Sequence, residues 1–396
     1  MTAPILPIEG YSDPRFGPVR DAFVEIFADG AEVGASLSVT IENEPVIDLW
    51  AGYADAEMSR PWAKDTIVNL YSIGKALTAT CVLRLADEGR IDLDAPVARY
   101  WPEFAQGGKS GLPVRLVLPH QAGLPAIRRK LAAGTVYDWE AMTSALAGQE
   151  PWWVPGTAHG YHVNTYGFIL GEIVRRASGK SLGTYFREEI AGPAGIDFHF
   201  GIGPEFDARC ADVLPSKPRP GDAPARPAAP PGDYDSLEGL DRMRAGAYRN
   251  PPEISGSGVV NTRAWRACEV PSTNGHGNAR AVARFYGALA CDGEVGGAHI
   301  LSPRWRDRAI EQQVYGDDLI LGRPTRFGLG YQLTMPERRL GPNPRTFGHF
   351  GAGGALGFAD PDARLGFGYA MNQGRSGWQH PHIRHLIDLV YGCLPG

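Results

Sequence analysis

Cysteine, lysine and net charge are all scarce in this 396-residue chain. The five cysteines (Cys81, Cys210, Cys268, Cys291, Cys393) cannot all pair and none is spaced as CxxC, which argues against a zinc ribbon and suits a reducing compartment. A net charge of -5 offers no basic surface for nucleic acid, and no polybasic run is present to meet an anionic membrane. No stretch approaches the roughly 18 apolar residues of a membrane span. Residues 1–10 carry Pro and Glu where a secretion signal needs a cationic stretch and then an apolar run. These absences describe a soluble, cytoplasmic protein that acts on a small neutral molecule and binds neither nucleic acid nor membrane.

What is present reads as an α/β protein: an antiparallel sheet flanked by helices, with an inserted, mainly helical lobe. The hydrophobic content of 43% is enough for a sizeable core. From Gly34 to Gly52, two β-rich runs flank Glu42-Asn43-Glu44-Pro45, the pattern of a hairpin. Residues 73–86 are rich in Ala, Leu and Val and end near Gly89, which predicts a largely buried helix with Cys81 in the core. A second helix is expected over 166–177, stopped by Gly179, and a third after the capping residue Ser181. The run ARAVARFYGALA after Asn278 is helix-like, and glycine-punctuated apolar runs from Phe327 to Asn372 read as closing strands. Residues 1–105 and 260–396 should therefore share the sheet domain, with 106–259 as the helical lobe. The Pro- and Ala-rich stretch 215–232 is expected to be a surface loop or flap.

A serine hydroxyl becomes a useful nucleophile only when a neighbouring base takes its proton. Residues three apart on a helix share a face, so Ser72-Ile73-Gly74-Lys75 brings Lys75 beside Ser72. Of six lysines, Lys75 alone has serine three places before it. With serine at roughly 5% of residues, about 0.3 such pairs would arise by chance, so the match is suggestive without deciding the matter. Ser72 at a helix N-terminus would have free N–H groups and the positive dipole end beside it, suited to an oxyanion. Lys75 either accepts the serine proton while neutral or stays charged and orients another base. The alternative is plain: Ser72 caps its helix and Lys75 points to water. Rival motifs are missing. No GxSxG or HExxH occurs, and Lys109-Ser110 and Lys180-Ser181 have Glu103 and Val174 where a phosphate-binding loop needs its first glycine.

Four segments, Asp65 to Tyr71 leading into Ser72, DEGRIDLDAPVARYWPEF from Asp87, PHQAGLP from Pro119 and GYHVNTYG from Gly160, occur in order. With them the chain resembles the β-lactamase and D-alanyl-D-alanine peptidase superfamily, and within it the family VIII carboxylesterases. The resemblance implies a serine β-lactamase-like fold and a third catalytic residue, Tyr161, acting as general base for acylation and as acid for the leaving group. It also implies an oxyanion hole from the N–H groups of Ser72 and Ala352. His349-Phe350-Gly351 stands where the superfamily has Lys-Thr-Gly. His349 there either donates to a substrate or packs, and Gly351 lets the strand approach a substrate closely. Val163 stands where class C enzymes carry asparagine, with Asn164 one place on. The lost lysine and asparagine favour esters over β-lactams.

The resemblance thus implies a serine hydrolase, a carboxylesterase cleaving short-chain esters through a Ser72 acyl-enzyme. A β-lactamase or amide hydrolase on the same site, and a non-catalytic acyl-binding sensor, are the alternatives. Trp152 and Trp153 are candidates to line an acyl pocket, or equally to be interface core. His380, His382 and His385 cluster near Asp388, but the mechanism needs no metal and no cofactor. His120 reads as structural support for the turn at Gly123.

Overall fold

The computed structural model describes residues 7–216, 233–375 and 380–395. Apart from Pro215 and Ser216, the expected Pro-rich loop lies outside the described residues.

Strands from both parts of the chain build one nine-stranded antiparallel sheet. They are β1 (Glu9–Ser12), β2 (Gly34–Ile41), β3 (Glu44–Gly52), β4 (Val314–Asp317), β5 (Pro324–Phe327), β6 (Gln332–Leu333), β7 (Phe347–Phe350), β8 (Leu356–Asp360) and β9 (Leu365–Met371). Their order across the sheet is β1-β3-β2-β9-β8-β7-β6-β5-β4. The β2–β3 hairpin forms as the sequence suggests. Glu42 and Asn43 both take left-handed backbone angles, φ 52° and 67°, as a tight turn matching the strand twist requires.

The glycine-punctuated runs alternate by face. Gly357, Gly366 and Gly368 lie under helix α6 (Ala279–Ala290), and a Cβ on Gly366 would stand 2.3 Å from both the Ala283 carbonyl oxygen and the Gly287 nitrogen. The missing side chains let the helix sit directly on the sheet. The opposite face carries Leu356, which lines one cavity with Ile383 and Ile387 of helix α7 (Pro381–Gly392); that helix packs beside α1 (Gly17–Ala28).

Helix α2 (Ile73–Asp87) is buried on nearly every side, including Cys81, because it runs between strand β7 and helix α4 (Thr165–Ser178) of the middle segment. Gly179, φ 77°, ends α4, and Ser181 caps the next short helix through Thr184 N–H. Helices α3 (Trp139–Gly148) and α5 (Gly239–Arg249) belong to the same segment. Among the described residues no helix is long and apolar enough to cross a membrane.

Candidate active site

Ser72 immediately precedes α2. The chain reaches it through a two-residue strand, Val68–Asn69, and through Tyr71, whose φ of 47° is unusual for a bulky residue. Such a conformation costs on the order of 1–3 kcal/mol and persists where packing enforces it, here turning the chain sharply ahead of the helix. The Ser72 hydroxyl makes no capping bond to the helix backbone. It lies instead 3.1 Å from Lys75 Nζ.

Lys75 is fully buried. Its other two partners are carbonyl oxygens, Val163 at 2.7 Å and Ser272 at 2.9 Å. Burial holds its pKa well below the usual lysine range. A neutral amine has two N–H bonds and one lone pair. With the two N–H groups spent on the carbonyls, the lone pair is left for the Ser72 hydroxyl proton.

Tyr161 comes from the loop before α4 and is 1% exposed. Its ring stacks with Phe327 at 6.1 Å between centroids and tilts against His120 at 4.8 Å. Lys75 Nζ stands 4.7 Å from the ring centroid. Burial pushes the phenol well above its ordinary pKa, while a hydrogen bond with Ser72 pulls the other way. Burial thus favours the protonated, neutral form of the phenol.

His349, on β7, is also fully buried, which pushes its imidazole down to about 3 and keeps it neutral. Nδ1 lies 2.8 Å from the Phe350 carbonyl oxygen, so the proton resides there and Nε2 is the acceptor. Nε2 faces the Tyr161 hydroxyl at 3.5 Å. Ser72, Lys75, Tyr161 and His349 thus meet around one point.

Gly351 packs closely against the chain that leads to Ser72. A Cβ there would lie 2.6 Å from the Leu70 carbonyl oxygen, so the glycine lets β7's exit pass the chain leading to Ser72. Ala352 follows, exposed, on the wall of a cleft of about 520 Å3 that also contains Tyr71, Leu214, Gly256, Asn261 and Met371. Neither the Ser72 nor the Ala352 backbone N–H has a partner among the described residues.

Trp152 and Trp153 do not appear in the described wall of this cleft. They are half-buried in a small apolar cluster around Tyr161, Val163, Met243 and Phe327, where Trp152 Nε1 donates to the Ala126 carbonyl at 2.9 Å. The Asn164 side chain is occupied by the Ala247 carbonyl, the Ser255 hydroxyl and the Thr273 hydroxyl. Among the described residues no group of three metal-ligating side chains is gathered, and His382 Nε2 lies 3.3 Å from Glu32.

Two contributors escaped the sequence reading: Ser272 supplies a carbonyl to Lys75, and Asp318 accepts the Tyr161 N–H. The ring of His120, expected only to support a turn, packs against Tyr161. His120 stands in a quoted motif and carries an unusual φ of 65°. Nothing in the sequence around Asp318 or Ser272 marks them, because their contacts join segments more than 150 residues apart.

A sequence profile of the beta-lactamase family matches residues 19–392. The chain is similar to the esterase/beta-lactamase LipL of Mycobacterium tuberculosis, 35% identical with 92% of this chain and 82% of that protein covered. It is 26% identical to the esterase EstB of Burkholderia gladioli, with 91% of each covered. Among solved structures, a family VIII carboxylesterase superposes with a TM-score of 0.89 at 42% identity, covering 98% of this chain and 100% of that one. A penicillin-binding protein homologue from Caulobacter crescentus gives 0.86 at 36% identity, covering 98% and 100%. With a family profile spanning nearly its whole length and the fold of those neighbours, the chain is a serine hydrolase of the beta-lactamase family.

Proposed function

We propose that the protein is a carboxylesterase that hydrolyses small, short-chain esters through an acyl-enzyme on Ser72. The observation that carries this reading is the buried Lys75 amine, held by two carbonyls with its remaining valence toward Ser72 Oγ. In this reading Lys75 takes the Ser72 proton as Oγ bonds to the ester carbonyl carbon. The resulting oxyanion is received by the N–H groups of Ser72 and Ala352. As the tetrahedral intermediate collapses, the C–O bond to the alcohol breaks and Tyr161 gives its proton to the departing alkoxide. Tyr161 recovers a proton from Lys75, and water then releases the acid by the reverse sequence of transfers.

The preference for esters over β-lactams is supported by the neutral His349 in place of a lysine and by an Asn164 amide already committed to three partners. The family VIII neighbour and the Burkholderia gladioli esterase point the same way. Turnover of a para-nitrophenyl acyl ester by wild type and Ser72→Ala tests the proposal. Loss of the nucleophile should cost at least about 1,000-fold, and a Ser72→Ala variant near the wild-type rate would overturn it.

The name of the mycobacterial relative keeps a second activity in view on the same site. A chromogenic cephalosporin turned over with a higher kcat/KM than the ester would make β-lactam hydrolysis the better reading.

A further inference from the structure

Asp318 sits at the tip between β4 and β5 and is 1% exposed. Its Oδ1 accepts the N–H groups of Ile320 at 2.9 Å and Leu321 at 2.8 Å, folding the tip back on itself. The Thr325 hydroxyl donates to Oδ2 at 3.3 Å. One further donor comes from far away in sequence: the Tyr161 N–H lies 3.0 Å from each carboxylate oxygen.

The attachment has two more points. Leu319 N–H donates to the His159 carbonyl at 3.1 Å, and His159 Nε2 lies 2.9 Å from Thr325 Oγ1. Leu319 and Ile320 also crowd Gly160, where a Cβ would stand 3.3 Å from each. The segment 159–161 is thus pinned to the edge of the sheet. Ser72 and Lys75 belong to α2 and its entrance, and His349 to β7, whereas Tyr161 arrives on a loop of the middle segment. Its distance from the others depends on how that loop is held.

We propose that Asp318 is a positioning residue for Tyr161, fixing the phenol hydroxyl relative to Ser72 Oγ by accepting the Tyr161 backbone N–H. The inference rests on the reading of Tyr161 as the proton donor to the leaving group. A reacting group misplaced by about 1 Å can lose on the order of 100-fold in rate. The loss should fall on the step that needs the proton. An alkoxide leaving group needs it, and para-nitrophenolate, a far weaker base, scarcely does.

The experiment compares kcat/KM of wild type, Asp318→Ala and Asp318→Asn for two esters of one acid, a simple alkyl ester and the para-nitrophenyl ester. Melting temperatures establish that each variant is folded at the assay temperature. Asp318→Ala is expected to lose about 100-fold on the alkyl ester and less than about fivefold on the para-nitrophenyl ester. Asp318→Asn is nearly isosteric, keeps one acceptor oxygen and provides the reading if the alanine variant does not fold. It should show the same selective pattern at about tenfold. Equal losses on both esters in the folded variants, or wild-type rates on the alkyl ester, overturn the inference alone. A wild type inert toward both esters, and unlabelled at Ser72 by an alkyl fluorophosphonate, overturns the esterase reading and this inference with it.

Discussion

Lys75 Nζ lies 3.1 Å from Ser72 Oγ, and its other hydrogen bonds among the described residues are to backbone carbonyls. A lysine with this set of partners has no carboxylate to keep it charged in the interior. Burial then decides its protonation state.

That state has a consequence for stability. Below the ordinary lysine pKa of about 10.4, the unfolded chain binds a proton at Lys75 that the fold resists, so stability contributed by this site rises with pH between the lowered folded value and about 10.4. Lys75→Met removes the dependence. Scanning calorimetry should find the melting temperature of the variant gaining on wild type as pH falls from about 10 to about 7, even though the variant has lost esterase activity. A difference that stays constant over that range would show that Lys75 is charged in the fold.

Activity should carry a signature of the same sign. The rate constant kcat/KM is expected to fall on the acid side as Lys75 takes up its proton. His349 has no part in this limb, since burial holds it neutral with its pKa pushed down to about 3. His349→Gln should therefore lower the plateau several-fold while leaving the acid midpoint of the pH–rate profile where it was. A midpoint that moves with the substitution would assign the limb to His349.

Tyr161→Phe keeps the ring against Phe327 and His120 and removes only the hydroxyl. General acid catalysis is worth about 100- to 10,000-fold, so the variant should fold normally and lose at least about 100-fold on an alkyl ester. Steady-state kinetics with an unchanged melting temperature would check both halves of this expectation.

Gly366→Ala tests the packing of α6 on the sheet. The new methyl would meet helix backbone at 2.3 Å, where no side chain can swing away. Overpacking of this kind costs about 1–3 kcal/mol, which denaturant unfolding would read as a lower midpoint at unchanged slope.

Much of this was legible along the chain because it is local. The three-residue spacing of Ser72 and Lys75, the helix stops at Gly89 and Gly179, the β2–β3 turn at Glu42-Asn43 and the alternation of glycine with large residues in β8 and β9 all follow from helix and strand periodicities of a few residues. Resemblance extended that reach to Tyr161 and His349. The packing of Gly351 against Leu70, the cluster that holds Trp152 and Trp153, and the clamp at Asp318 were not legible, since each depends on segments that meet only after folding.

The sequence by itself determined that a serine and a lysine would share one face at the start of a buried helix, because the helical repeat leaves no other arrangement. Only the tertiary structure decided what that pair is worth chemically. The carbonyls of Val163 and Ser272 and the neutral imidazole of His349 are brought around Lys75 by chain-distant packing, and proton affinity is set by desolvation and by neighbours within a few ångströms.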